Sequence, residues 1–456
     1  MHPRQTSYAL GALTFIAAGL AFAQAPQDPP PQPPAPAAPA EPAEPPAPQE
    51  PAAPAAPQQP AGSATPEEPE GSGAPTIPRS SAAVPPPAVP ATAVPVVTPA
   101  PLTQHLGDAS FTLYGDVDLY ANFMHSSSGR DIFAIQDGAI LRSRLGLRGG
   151  IDFGNGFKGN FVLEQGINAT SGAPADTTRL FDRQAWAGLV TPVGEFRVGR
   201  QNTEVFLRGS AIDYGERTLG AVVNAFGVPS RYDSDLVYIT PRLYGVQAVG
   251  HYSLQGSAVD HPTQQRVYQV ALDFENGPVR VGYARVAGTP APAMPVQKIV
   301  TYDNFYGDLN YGPGKVYLVY IRSNNNGPTT DLFNGSSPLG NTGALIAGTD
   351  PGAETYYNIY QASADYSVTP ALRVGGLYGW IRDSSGSGKN ASGGSLGGFY
   401  SFKNVKLFLL ADRLANDRNA GFRTSGSAGL TKPFTAADDV NGRTITGVQL
   451  GFVFRF

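Results

Sequence analysis

Few side chains in this sequence have the types and spacing that catalysis needs. The 456 residues include no cysteine, so thiolate nucleophiles, thiolate metal ligands and disulfides are all excluded. The five histidines stand in no Ser–His–Asp or metal-ligand spacing, and they are His2, His105, His125, His251 and His261. GSGKN at 386–390 lacks the full spacing of a phosphate-binding loop. The sequence therefore predicts a function without a catalytic centre, and it implies no metal and no cofactor.

Arginines, by contrast, form a regular pattern. In ILRSRLGLRGG, residues 140–150, Arg142, Arg144 and Arg148 alternate with Leu145 and Leu147. Successive side chains of a β-strand point to opposite faces, so this segment would place guanidinium groups on one face and leucines on the other. A soluble core would not accept such a row, whereas a water-filled lumen would. A row of cations beside a lumen would act electrostatically on passing ions.

The same two-residue period continues to the end of the chain. Sixteen segments of about ten residues can be counted from residue 110 onward, one of them at 136–152. In the last, GVQLGFVFRF, one face is apolar and carries Val448, Leu450, Phe452, Phe454 and Phe456. No internal run reaches the roughly 18 apolar residues that a membrane-spanning helix needs. The segments are therefore interpreted as strands with different media on their two sides.

The connectors between these strands alternate in length. Short turns are predicted at FGN (153–155), TPV (191–193), ENG (275–277) and GPG (312–314), and long connectors at 203–231, 325–353 and 416–442. Short turns at one rim and long loops at the other are typical of an outer-membrane barrel, whose closed sheet leaves no unpaired edge in lipid. The predicted fold class is all-β, a transmembrane antiparallel β-barrel of about 16 strands. The connectors at 325–353 and 416–442 leave room for one more hairpin, and so for eighteen.

The first 105 residues differ in composition from the rest. Residues 1–23 read as a signal peptide, with Arg4, an apolar core and an Ala-Phe-Ala cleavage pattern. Residues 24–105 are rich in Pro and Ala and are predicted to form a disordered linker in the periplasm, which leaves 106–456 for the barrel. This linker is either a passive tether or, through residues 25–101, a contact with the cell wall.

Charge argues against nucleic acid as a partner. The first 105 residues carry two of the 32 Lys and Arg and seven of the 36 Asp and Glu, so the acidic balance belongs to the linker. The remainder is almost neutral and shows no basic excess.

Five segments together resemble the general diffusion porins of Gram-negative outer membranes. They are TLYGDVDLY (112–120), SRLGLRGGIDFGNGFKGNFVLEQGI (143–167), LFDRQAWAGLVTPVGEFRVGRQ (180–201), SDLVYITPRLYGVQAVGHYSL (234–254) and the final GFVFRF. The resemblance covers about residues 110–456. It implies a homotrimer of sixteen-stranded barrels among outer-membrane lipid and lipopolysaccharide, with a third loop, here 202–231, folded into the lumen.

The resemblance also implies a constriction with basic and acidic sides. By motif position, Arg144, Arg183 and Arg231 match the basic wall, and Arg142, Arg148 and Arg200 would extend it, whereas Asp116 stands where relatives can carry a basic residue. Asp213 and Glu216 match the acidic loop. Alternatively, several of these arginines pair with Glu164, Asp182 or Glu195 and only stiffen the barrel.

The expected function is a water-filled channel for passive diffusion of small hydrophilic solutes and ions, slightly preferring anions. Two alternatives stay open. The barrel could serve mainly as an anchor whose Pro-rich arm tethers the membrane to the cell wall. It could also be a barrel hydrolase, which would need Ser and His on adjacent strands near the rim. The resemblance further implies that Phe456 belongs to the signal read by the barrel assembly machinery.

Overall fold

The computed structural model describes residues 102–456 with gaps at 256–265, 290–298, 325–355, 385, 387, 427–429 and 431. The predicted signal peptide, the linker up to residue 101 and the loop at 325–353 lie outside the described residues. Residues 102–105, which the prediction assigned to the linker, are part of the first strand.

The regular structure of the described residues is almost entirely β. No helix among them is long and apolar enough to cross a membrane. Two short helices, α1 (Glu204–Leu207) and α2 (Val222–Phe226), and two 3₁₀ turns, Arg208–Ala211 and Ala437–Asp439, lie in loops. The strands are β1 (Leu102–Leu106), β2 (Ala109–Ser126), β3 (Asp131–Asp137), β4 (Arg144–Gly154), β5 (Phe157–Asn168), β6 (Ala173–Pro174), β7 (Gln184–Thr191), β8 (Gly194–Asn202), β9 (Arg231–Ile239), β10 (Val246–Ser253), β11 (Val267–Asn276), β12 (Val279–Gly288), β13 (Val300–Asn310), β14 (Lys315–Ser323), β15 (Tyr357–Ser367), β16 (Leu372–Asp383), β17 (Ala391–Phe402), β18 (Val405–Asn416) and β19 (Thr444–Arg455).

Sixteen of these strands form a closed antiparallel ring. The ring runs β2, β4, β5 and then β7 to β19, and it closes where β19 pairs with β2, from Ile445 opposite Ser126 to Arg455 opposite Asp116. Strand β14 pairs directly with β15, and β18 with β19, so neither long loop adds a hairpin to the ring. The predicted all-β barrel of about 16 strands is confirmed, and the alternative of eighteen is wrong.

The second predicted strand, 136–152, is interrupted. Both β3 and β4 pair with the same edge of β2, one after the other, and residues 138–143 bulge away between them. Asp118 of β2 holds this break, because its Oδ2 accepts the backbone N–H groups of Ile140 at 2.8 Å and Leu141 at 2.7 Å. The backbone of Ile140 and Leu141 is not paired with a neighbouring strand. The carboxylate accepts their backbone N–H groups instead.

Loop lengths divide the barrel into two rims. The predicted turns at 153–155, 191–193, 275–277 and 312–314 all lie at one end, here called the short-turn rim. Three long connectors, 203–230, 324–356 and 417–443, leave from the opposite end, here called the long-loop rim. The first and last of these are called L3 and L8 below.

Side chains alternate across the wall as the two-residue period predicts. In β19, Leu450, Phe452 and Phe454 are exposed on the outer surface, whereas Gln449 and Val453 are buried inside. Apolar side chains therefore cover the outer face of this strand, as a barrel in lipid requires.

The inner face changes character along the strands. Towards the long-loop rim the inward residues of β13 to β16 are apolar and buried, and they include Val300, Tyr302, Ile321, Tyr357, Ile359 and Ile381. Towards the short-turn rim the inward residues of the same strands are charged: Asp308, Lys315, Asp365 and Arg373. We call these the apolar half and the charged half of the interior.

Candidate functional site

L3 folds into the barrel and crosses it, as predicted for the third loop. It begins at α1, where the Thr203 side chain accepts the N–H of Phe206 as an N-cap. At mid-loop the backbone N–H of Tyr214 donates to Ser363 Oγ of β15 at 3.0 Å, and its hydroxyl lies 3.0 Å from Ser395 Oγ of β17. These contacts fix L3 to the wall opposite the strands that carry it.

Apolar packing holds the last part of L3. Phe226 of α2 is fully buried, and its ring centroid lies 5.4 Å from that of Tyr357 and 6.3 Å from that of Tyr302. Val222, Val223 and other L3 residues join the same cluster on the apolar half of the interior. Packing of buried apolar side chains therefore anchors L3 to the inner wall of the barrel.

L8 also enters the barrel, which the sequence analysis did not foresee. Phe422 is fully buried, with its ring centroid 6.5 Å from Phe226 and 6.0 Å from Tyr357. The amide of Asn224 in L3 donates to the backbone oxygen of Ser425 at 3.2 Å. Two loops thus pack on each other inside the apolar half.

The two predicted acidic residues of L3 lie in different surroundings. Asp213 is buried within the loop, and its carboxylate accepts the N–H groups of Gly215 and Arg217, both at 2.9 Å, and the amide of Gln361 at 3.2 Å. Burial raises the pKa of Asp213 to about 6. Asp213 therefore organises the loop rather than facing the lumen.

Glu216 is the L3 carboxylate that reaches solvent. Its side chain is 34% exposed and lies 3.6 Å from Nζ of Lys406 on β18. Lys406, with further contributions from Arg455 and Arg373, lowers the pKa of Glu216. Glu216 therefore opposes a cluster of cations at the charged half.

Arg144 and Arg183 meet at Glu164, as the pairing alternative allowed. Arg183 is buried and donates from Nε to Glu164 Oε1 at 2.7 Å, and Arg144 Nε lies 3.5 Å from Glu164 Oε2. Arg144 also binds Asp116 at 2.6 Å. Within this network Arg144 keeps partial access to solvent, whereas Arg183 braces the wall.

Arg200 and Arg231 are buried. Arg200 binds Asp233 at 2.5 Å and the backbone oxygen of Asp182 at 2.6 Å. The Arg231 guanidinium lies 4.9 Å from the ring centre of Phe206 in L3. Both arginines therefore serve the junction between the wall and the neighbouring loops.

The remaining predicted arginines differ in exposure. Arg142 is half-buried in the break between β3 and β4. Arg148 is partly exposed, and its guanidinium lies 5.2 Å from the ring centre of Tyr114. Of these predicted arginines, Arg148 thus has the most access to solvent, and Arg142 and Arg144 are half-buried.

The sequence did not predict several ion pairs of the charged half. In each of them the cation is more exposed than the carboxylate. Arg373 is 28% exposed and its partner Asp365 only 3%; Lys315 and Asp308 show 38% and 3%; Arg455 and Asp116 show 34% and 6%. Asp273 repeats the arrangement with Arg242 and Arg280. In each pair the carboxylate lies against the wall and the cation faces the solvent.

A closer reading of the two-residue period would have indicated these cations. Lys406 shares its parity in β18 with the buried Phe408 and Leu410, so it must point inward. The buried carboxylates have no comparable local signal, because their partners lie on neighbouring strands.

Among the described ranges, no group of three or more His, Asp or Glu side chains is placed to hold a metal ion.

Comparisons with known proteins agree with this architecture. The sequence is 31% identical over 190 residues to an outer membrane porin protein of Bordetella pertussis, covering 40% of this chain and 47% of the relative. It is 23% identical over 307 residues to major outer membrane protein P.IB of Neisseria meningitidis serogroup B, covering 62% of this chain and 90% of the relative. The matched segment spans about half the length of the Bordetella porin and of several other P.IB proteins.

Solved structures show the same fold. An anion-selective porin from Comamonas acidovorans superposes with a TM-score of 0.61 at 20% identity, over 76% of this chain and all of that one. OmpF of Salmonella typhi, solved with daunomycin, gives a TM-score of 0.55 at 14% identity, over 78% of this chain and all of that one.

A family model for the Gram-negative porin matches residues 82–419, which is well over half of the chain. With the closed ring of sixteen strands and the inward third loop already established, this match shows that the chain belongs to the Gram-negative porin family.

Proposed function

We propose that this protein is an outer-membrane channel through which small hydrophilic solutes and ions diffuse passively, with a preference for anions. The observation that carries the proposal is the repeated geometry of the charged half, where exposed cations stand in front of buried carboxylates. An ion entering there meets guanidinium and ammonium groups first. The total charge of the barrel is almost balanced, but in these pairs of the charged half the cation is the more accessible partner.

The mechanism is electrostatic and needs no reaction. Glu216 on L3 forms an ion pair with Lys406 of the wall, with Arg373 and Arg455 close by. Opposed charges hold a field across the lumen that orders water and favours polar solutes over apolar ones, which cannot replace lost hydration. The surplus of exposed cations then biases the passage towards anions.

The relatives support both parts of this proposal. Both of the relatives compared above are named as outer-membrane proteins, and one of them as a porin. The Comamonas acidovorans structure carries the description anion-selective porin. We infer that this chain likewise resides in an outer membrane, with its short-turn rim and N-terminal arm towards the periplasm.

Conductance of the purified protein in a planar bilayer tests the channel. We expect stepwise increases in current and, under a KCl gradient, a reversal potential of the sign that chloride preference gives. Absence of discrete steps would refute the channel, and a reversal potential of cation sign would refute only the selectivity.

Assembly partners form a second part of the proposal. We infer a homotrimer among outer-membrane lipid and lipopolysaccharide; one OmpT structure from Vibrio cholerae with the same fold is described as a trimer form. Phe456 completes the seam, since its N–H donates to Gly115 O at 3.1 Å and its own O accepts from Gly115 N at 3.0 Å. Its proposed recognition by the barrel assembly machinery predicts that Phe456→Ala lowers the yield of folded trimer, measured by heat-modifiable migration on gels.

The composition of residues 25–101 supports a tether to the cell wall as a further role. Deleting residues 25–100 should leave conductance unchanged and reduce co-sedimentation with peptidoglycan. Unchanged co-sedimentation would remove the tether and leave the channel untouched.

A further inference from the structure

The outer surface of the barrel carries an ordered row of aromatic rings. Across β12 to β16, directly paired positions on the outer face are Tyr283, Phe305, Tyr320, Tyr360 and Trp380. Consecutive ring centroids over the first four lie 4.7, 5.9 and 5.1 Å apart. Aromatic girdles of this kind mark the boundary between hydrocarbon and headgroups in barrels.

A second row lies two residues nearer the long-loop rim on the same five strands. Its paired positions are Arg285, Asp303, Arg322, Asn358 and Arg382. We call it the arginine row. Because side chains two residues apart share a face, these groups stand on the outer surface immediately beyond the aromatic rings.

The contacts within the arginine row leave two guanidinium groups available. Arg285 binds Asp303 at 3.1 Å, and Asp303 also accepts the Tyr283 hydroxyl at 2.6 Å. Arg322 lies 4.2 Å from the ring centre of Tyr356. Within the part of the chain that the structure describes, no carboxylate lies in ion-pairing distance of Arg322 or Arg382, and both are exposed.

An uncompensated pair of arginines at a headgroup boundary calls for an anionic ligand. Neighbouring strands are about 4.8 Å apart, so Arg322 and Arg382, with Asn358 between them, are separated by about 10 Å. Guanidinium groups bind phosphate oxygens in a bidentate manner, and the amide of Asn358 adds a donor. The adjoining rings would lie against the apolar and sugar portions of the same molecule.

We propose that the arginine row binds the phosphorylated headgroup of lipopolysaccharide in the outer leaflet, with phosphate groups on Arg322 and Arg382. The inference rests on the proposed placement of the barrel in an outer membrane. It adds a specific lipid site to that placement, and it is separate from the lumen because every member of the row faces outward.

The two tryptophans of the chain provide a reporter for this site. Trp186 is buried on the inner side, where it stacks with Arg197 at 4.4 Å, and Trp380 belongs to the aromatic row. In a Trp186→Phe background, titrating the folded trimer with deep-rough lipopolysaccharide should give a saturable change in Trp380 fluorescence. Lipopolysaccharide stripped of its phosphates should bind about tenfold more weakly, as loss of charge-assisted contacts implies.

Substitutions should reproduce that loss. R322Q combined with R382Q should raise the half-saturation concentration about tenfold. R413Q is the matched control, since Arg413 is also an exposed outward arginine but lies between Gly394 and Thr446, away from the row. R413Q should titrate like the parent protein, and conductance should be unchanged in both variants.

Three outcomes would overturn the proposal. The double variant could titrate like its parent, or phosphate-free lipopolysaccharide could bind as tightly as the intact form. The double variant could also fall apart into monomers with unchanged lipid binding, which would make the row a contact between copies. If the double variant does not fold, the comparison of the two lipid forms on the parent protein decides the matter. Absence of conductance in the parent protein would instead refute the proposed channel function.

Discussion

The apolar half and the charged half of the interior are built from the same strands, yet they are filled in opposite ways. Towards the long-loop rim, L3 and L8 cover the inward valines, isoleucines and tyrosines. Towards the short-turn rim, the cations of the ion pairs, Lys315 and Arg373, remain in contact with solvent. Removing apolar area from water stabilises by about 25 cal/mol per Å², so the buried apolar side chains of both loops pack on the apolar half, whereas Glu216 of L3 reaches the charged half.

This difference indicates that apolar packing and electrostatic interactions are concentrated in different halves of the interior. The apolar half determines where the loops stand, and under the proposed function the charged half determines which ions pass. Substitutions in one half should therefore leave the property of the other half intact.

The largest effect is expected from Phe226→Ala. Phe226 is fully buried between Tyr302, Tyr357 and Phe422, and removing such a ring costs about 3–5 kcal/mol. Hydrogen exchange of peptides from 203–230 should accelerate accordingly, with ion selectivity preserved. Leu207→Ala is the control, because Leu207 lies in the same loop but is exposed. Equal acceleration in both variants would contradict the anchoring role of the apolar half.

A slightly smaller effect should follow from the titration of Asp213. Its pKa is about 6 in the folded loop against a usual value of 3.8, so the folded loop binds the proton more tightly. The resulting stabilisation is complete below about pH 4 and is lost as the pH rises through 6, by at most about 3 kcal/mol.

Hydrogen exchange of L3, corrected for its intrinsic pH dependence, measures this loss. Asp213→Asn removes the titrating group and should give a flat profile between about pH 4 and 7. A profile in the variant as steep as that of the parent would show that another group is responsible.

Substitutions in the charged half should change the ion selectivity by a smaller amount. Removing a cation and removing a carboxylate should shift it in opposite directions. A unit charge at about 4 Å from an ion in water contributes about 1 kcal/mol, which is up to about fivefold in a permeability ratio. Arg373→Gln should lower the preference for chloride, and Asp365→Asn should raise it, with R413Q on the outer surface as control. Reversal potentials that move in the same direction for both variants would contradict the exposed-cation arrangement.

The smallest effect is expected from Glu216→Gln. Glu216 and Lys406 are 3.6 Å apart and partly exposed, and such pairs contribute about 1 kcal/mol or less. Exchange of L3 should stay near that of the parent, and chloride preference should rise slightly. Release of the loop by this variant would mean that the ion pair, and not the apolar half, anchors L3.

Much of the fold could be predicted because a strand with lipid on one side and the lumen on the other alternates apolar and polar residues along its sequence. The alternation of Arg144 with Leu145, and of Phe452 with Val453, assigned faces without any tertiary information. The break at 138–143 could not be predicted in this way. It depends on Asp118, which lies in the preceding strand and gives no local sign that it will bind two backbone N–H groups.

The site was harder to predict than the fold. Glu216 and Asp213 belong to one loop, and only the path of that loop decides which carboxylate is buried. Phe422 illustrates the same limit, since the sequence around an aromatic residue in a long polar loop does not indicate that its side chain points into the barrel. Contacts between distant segments determined both outcomes.

Strand β1 has a consequence for how the seam closes. It pairs with Ala109–Leu113 on the edge of β2 that β19 also uses, and β19 stops at Arg455 opposite Asp116. Because a slip by two residues would preserve the inside and outside faces, alternation alone does not exclude it. A slipped Phe456 would reach Leu113, where Leu102 already stands. The segment that leads into the barrel therefore acts as a register stop for the strand that completes it.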